Sequence, residues 1–193
     1  MAKQQLRKAE THKALVSASS QAFRKQGFAG VGVDAIAKAA GATSGAFYAH
    51  LGSKDGAFHA ALELGLNEVI ETIPEYQKRY DKDWPEAFAR YYLGAAHRKD
   101  LACGCAMTAM SPDVVRAPEE TRALYDRKMS QIADLIADGL NGKNEQVRIA
   151  KAWAFLSILI GALTTARAMA SESQAEEVTR AASSAALHLL SQN

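Results

Sequence analysis

The chain is short of the residues that staple or break small folds. Only two cysteines, Cys103 and Cys105, stand among its 193 residues. Two cannot make a disulfide framework or, by themselves, a four-ligand zinc site. Neither is needed, because a chain of this length buries a core unaided. Prolines number four and aromatics 7%, so little interrupts a helix. Alanine, by contrast, occurs 39 times, which favours helix nearly everywhere. The longest nearly apolar run, Ala152 to Leu163, is too short to span a bilayer. The opening MAKQQLRKAE has charge but no apolar stretch, unlike a secretory leader. The expectation is an all-α, soluble, cytoplasmic protein with no membrane partner. Catalytic signatures are missing too. There is no phosphate-cradling glycine loop, no HExxH, no GxSxG and no paired acids within one apolar element. No catalytic residue, metal or cofactor is expected, and a Cys105–His97 dyad is the weak remaining case for a small helical enzyme.

Net charge is only +2, yet it is unevenly spread. Residues 1–56 hold eight basic residues (Lys3, Arg7, Lys8, Lys13, Arg24, Lys25, Lys38, Lys54) against three acidic ones, a net of +5. The remainder holds 15 basic and 18 acidic residues, a net of −3. A basic head on a mildly acidic body suits a polyanion at the head, although chance gives such asymmetry in short segments.

Apolar spacing predicts a first helix over 7–26 closed by Gly27, then short helices over 33–40 and 44–50. Ser53 caps a fourth helix, which Pro74 should end near Thr72. Asp83, Pro85 and Glu86 predict a helix start, running to about Arg98. A short helix between loops comes next, then helices from Pro118 to about Leu140, over 145–170, and over 174–191 behind a Ser173/Glu176 capping box. The expected domains are 1–56 and 57–193, joined inside the fourth helix.

The informative segment is VDAIAKAAGATSGAFYAHLGSKDGAF, Val33 to Phe58. Two short helices around a glycine turn are the shape of a helix-turn-helix. Ile36, Ala37 and Ala40 face inward, and Gly41 permits the positive φ of a tight turn. Phe47 and Leu51 face the core, leaving Thr43, Ser44, Gly45, Tyr48, Ala49 and His50 outside. Small residues at the tip allow close approach to a major groove, and the polar groups reach bases or phosphates. Lys54, with the N–H groups opening the fourth helix, suits a phosphate. A plain helical hairpin with solvated Tyr48 and His50 is the bland alternative.

At these residues the sequence resembles the TetR (tetracycline repressor) family of bacterial transcription regulators. The resemblance covers roughly residues 7–58, through IA..AG,.FY.H and the S-K pair. It implies an N-terminal three-helix domain on a double-stranded, palindromic operator. It also implies a helical C-terminal domain that dimerises and binds a small-molecule effector, most often releasing a repressor. Matched by position, Thr43, Ser44 and Gly45 open the recognition helix. Tyr48 matches the DNA-contacting tyrosine, His50 the phosphate-side histidine and Lys54 the phosphate-binding lysine. Gly32 departs from the family's Ser or Thr at the second helix's cap, and Ala46 and Ala49 replace larger residues of some members.

The body resembles the family only loosely. Leu156, Leu159 and Leu163, with Ala182, Ala185 and Leu189 on the last helix, give apolar faces suited to a homodimer's four-helix interface or to an internal core. Trp84, Phe88, Tyr91, Tyr92, Met107, Met110 and Trp153 are available to line an effector cavity, with His97 or Arg98 as polar anchors, or serve as core. The Gly104–Cys105 segment resembles one branch of the family in which some members sense oxidants or electrophiles through the cysteine. Cys105 is thus either a reactive thiol at a helix start, beside or instead of an effector site, or a small buried hydrophobe.

Overall fold

In the computed structural model, which describes residues 2–192, the chain is helical and holds no strand among those residues. The helices are α1 (Ala2–Gly30), α2 (Val33–Ala39), α3 (Ser44–Leu51), α4 (Lys54–Tyr80) and α5 (Trp84–Tyr92), then α6 (Ala95–Lys99), α7 (Ala106–Val114), α8 (Glu119–Asp138), α9 (Glu145–Ala168) and α10 (Glu172–Ser191). Gly27 breaks α1 at φ +73, so the expected stop is real although a last turn lies beyond it.

Packing divides the chain into two compact units, but not at the expected contiguous boundary. The N-terminal unit runs to Leu66 and takes in Leu101–Tyr125. The other combines Asn67–Asp100 with the residues from Asp126 onward. Both α4 and α8 therefore contribute to both units; α4 was expected to be alone in this. In the N-terminal unit α1, α2 and α3 close on Leu15, Phe23, Ile36 and Phe47, all fully buried. There α7 also packs along α1, which no local sequence signal announced.

In the other unit, α4 does not stop before Pro74 but runs to Tyr80. A proline inside a helix costs about 3 kcal/mol, so the turns beyond it must be held by packing. Ile73 is fully buried, Tyr76 sets its ring edge-on to Phe88 at 5.5 Å, and Gln77 donates to the Leu135 carbonyl at 2.7 Å. The helix expected from Asp83 to Arg98 is broken at Gly94, where an added Cβ would lie 2.8 Å from the Arg90 carbonyl oxygen. Asp83 makes no capping bond there, because it ends a 3-10 turn over Asp81–Asp83. Last, α10 begins two residues early, capped by Ser171 rather than Ser173.

By length and composition α9 is apolar enough to cross a membrane, with a mean hydropathy of 1.6 over 18 residues. The nearly apolar run Ala152 to Leu163 missed this because it stopped at Lys151 and at Thr164, although the helix stays mostly apolar beyond Thr165. Its Phe155, Leu156, Leu159 and Leu163 are buried as core. Lys151, near the start of α9, donates to the Leu190 carbonyl at 3.2 Å, so α9 and α10 run antiparallel.

Candidate nucleic-acid interface

The segment 33–58 folds as its residue types require. Gly32 leads into α2 with extended backbone and no side-chain cap. Gly41, at φ +66, turns the chain, and Ala42 N–H bonds the Ala37 carbonyl at 2.9 Å. Thr43 then opens α3, its hydroxyl accepting from Ala46 N–H at 3.1 Å. Ser44 Oγ donates to Asp34 Oδ1 at 2.5 Å, tying α3 to α2. Thr43 and Ser44, expected only as contacts, thus also fix the helix that would carry them. Gly52, at φ +72, ends α3, and Ser53 caps α4 by accepting from Gly56 N–H at 2.9 Å.

Phe47 is fully buried beneath α3, while Tyr48 is 54% exposed and stacks edge-on against Phe47. Gly45 is exposed, and a Cβ there would meet nothing closer than Thr43 Oγ1 at 3.8 Å. The fold therefore does not require glycine at this position. His50 is half-buried, its ring 5.9 Å from that of His12 on α1. Lys54 Nζ lies 4.6 Å above the Phe28 ring, which packs with Phe23 and Phe58. Cation–π contact leaves an ammonium near the surface and limits its wandering. Sequence reading missed His12, Phe28 and Asp34, because each acts across elements whose approach no local pattern reveals.

One basic residue leaves the expected polyanion-facing set. Arg24 is 8% exposed and donates to the Gly104 carbonyl at 2.9 Å, within its own unit. Lys3, Arg7, Lys8, Lys13, Lys25 and Lys38 remain exposed. The weak start of α2 gives a small prediction. No atom lies within 4 Å of a Cβ built at Gly32. A Gly32→Ser chain should gain about 0.3 kcal/mol from the new cap, read as a slightly higher melting temperature.

The expected body residues are placed less simply. Phe88 and Tyr92 are buried in a ring cluster with Trp84 and Phe155, while Tyr91 and Trp153 are exposed. Cys105 and Met107 are buried in the N-terminal unit, Cys105 just ahead of α7, and Cys103 is exposed. His97 lies against Tyr91 and Tyr92, and Arg98 is committed to structure, donating to the Leu93 carbonyl at 3.1 Å and to Glu172 at 2.7 Å. That bond holds the Glu172 carboxyl below its ordinary range. An open groove of about 570 Å3 in this unit is lined by Gln77, Trp84, Gly139 and Leu187 among others; of the expected lining residues it takes in Trp84 and not Phe88, Tyr91 or Tyr92. Leu156, Leu159 and Leu163 are buried within the chain, so they are not free to meet a second copy. Ala182 and Leu189 are half-buried and Ala185 is exposed, as are Trp153 and Gly161.

These features define a helix-turn-helix unit followed by a helical C-terminal region. Residues 15–61 match the family described as bacterial regulatory proteins, tetR family. The HTH-type transcriptional regulator AcrR of Shigella flexneri is 34% identical over 74 residues, which is 38% of this chain and only about a third (34%) of that protein. Over these residues the chain is similar to regulators of the TetR family. Solved structures share the fold over nearly the whole chain. The reduced form of NemR from E. coli superposes with a TM-score of 0.78 at 19% identity, covering 95% of this chain and 98% of that one. A TetR-family regulator from Cytophaga hutchinsonii gives 0.79 at 13% identity, covering 97% and 98%. FadR of Bacillus subtilis, solved in complex with stearoyl-CoA, gives 0.69 at 14% identity, covering 93% and 97%.

Proposed function

We propose that the protein is a ligand-responsive repressor that binds a palindromic operator as a homodimer and is released by a small molecule. The carrying observation is α3: rigidly capped, anchored by buried Phe47, and presenting Gly45 and exposed Tyr48 outward. Such a helix enters a major groove with its small N-terminal residues leading. Tyr48 reads a base edge, while His50, Lys54 and the exposed lysines of α1 and α2 meet phosphates. Assembly uses the outward faces of α9 and α10, with Trp153, Gly161 and Ala185 in place of the inward leucines. Two heads then enter successive grooves at about 34–36 Å spacing. An effector lowers DNA affinity by preferring an arrangement of the body in which that spacing fails, and the coupling is reciprocal.

Selection from a random duplex pool tests this reading. Enrichment of an inverted repeat with half-sites about one helical turn apart is the expected result. Recovery of no preferred sequence would contradict it. The FadR complex supports a small-molecule effector for this fold without naming one here. The NemR neighbour, solved in a reduced form, fits the alternative of a cysteine sensor, but Cys105 is only 6% exposed, which favours the effector reading.

A further inference from the structure

The C-terminal end of α1 is fastened at two points to the segment that carries α7, all within the N-terminal unit. The break at Gly27 turns Phe28 N–H aside, and Asp113 Oδ2, near the end of α7, accepts from it at 2.7 Å. One turn earlier, Arg24 Nη1 donates to the carbonyls of Cys103 at 3.3 Å and Gly104 at 2.9 Å, just ahead of α7. The α4 residue Gly65 makes room for this second fastening. A Cβ there would lie 2.6 Å from Arg24 Nη2 and 2.5 Å from the Ala106 Cβ. Burying an arginine is costly unless it is hydrogen-bonded, and here two carbonyls just ahead of α7 both accept from Nη1. Beyond these bonds α1 packs on α2 and α3, reaching His50 through His12.

We propose that Arg24 and Asp113 are positioning residues for DNA recognition, bolting α1 to both ends of α7 so that α7 sets how α1 supports α3. The proposal rests on the reading that α3 meets DNA. By this arrangement α7 belongs mechanically to the DNA-binding unit, and any event that shifts the turn at 103–106 reaches α3 through α1.

The test uses the full chain, a duplex enriched on the wild-type protein and an unselected duplex. Arg24→Met and Asp113→Ala should each lower the ratio of selected to unselected affinity by about fivefold or more, the scale of residues that modulate coupling. Binding to the unselected duplex, which reads charge, should change much less. Arg24→Lys and Asp113→Asn, which keep a donor and an acceptor, should restore much of the ratio. A proportional fall on both duplexes, tracking the melting temperature, would reduce the contacts to general stability and overturn the proposal. So would an unchanged ratio. Should Arg24→Met fail to fold, the Asp113→Ala and Asp113→Asn pair decides alone. If the wild-type chain enriches no duplex, the DNA-binding reading itself is what fails.

Discussion

Placing a glutamate at Ala185 should yield a folded monomer that has lost nearly all operator affinity. Ala185 is exposed on α10, and glutamate is a good helix former, so the helix itself is not at risk. A carboxylate there must be desolvated, and would face its symmetry mate, if α9 and α10 meet a second copy. Losing the second head removes the gain from tethering two half-sites, typically about 10²–10⁴ in affinity. Sedimentation equilibrium and DNA titration on the same sample check both halves of the expectation. An unchanged dimer would move the interface elsewhere. Leu159 is the wrong place for this experiment although it lies on the same helix pair. It is fully buried, and charge there should unfold the chain rather than separate it.

Tyr48 and Lys54 should fail differently when truncated. Tyr48 is held by its edge contact with Phe47 while its outer part stays open. Tyr48→Ala should weaken the selected duplex by about 1–3 kcal/mol and leave random DNA nearly unaffected, as loss of base reading does. Lys54 sits at the start of α4 over Phe28, where it offers charge without a directional fork. Lys54→Ala should weaken both duplexes alike and shallow the salt dependence by about one unit. Salt titrations on the two duplexes separate the roles. Equal losses on both duplexes for Tyr48→Ala would deny it a base contact.

Much of the head was legible because its signals are local. Gly41 marks the turn between α2 and α3, Ser53 caps α4, and Phe47 must go inward. The body was less so, since its decisive interactions join distant residues. Pro74 lies inside α4 because Phe88 and Leu135 hold the turns beyond it, a contact invisible in the local pattern. The same limit applied to α9, whose apolar residues cover more than one face. Composition could not say that Leu156, Leu159 and Leu163 turn inward while Trp153 turns out. Charge counting likewise placed Arg24 among DNA-facing residues, when its partners are two carbonyls far along the chain.

The central claim is that the tip of α3 enters a groove, and Gly45 tests it most directly. Nothing in the fold needs glycine there, since a Cβ would meet only Thr43 Oγ1 at 3.8 Å. Alanine in a helix should instead stabilise the chain by about 0.5–1 kcal/mol. If the backbone at Gly45 must approach the groove floor, the same methyl obstructs it. The measurement is a thermal melt and a titration of the selected duplex on Gly45→Ala. The account predicts a melting temperature equal to or above wild type together with a clear loss of affinity for that duplex. Undiminished binding by the stabilised variant would contradict it.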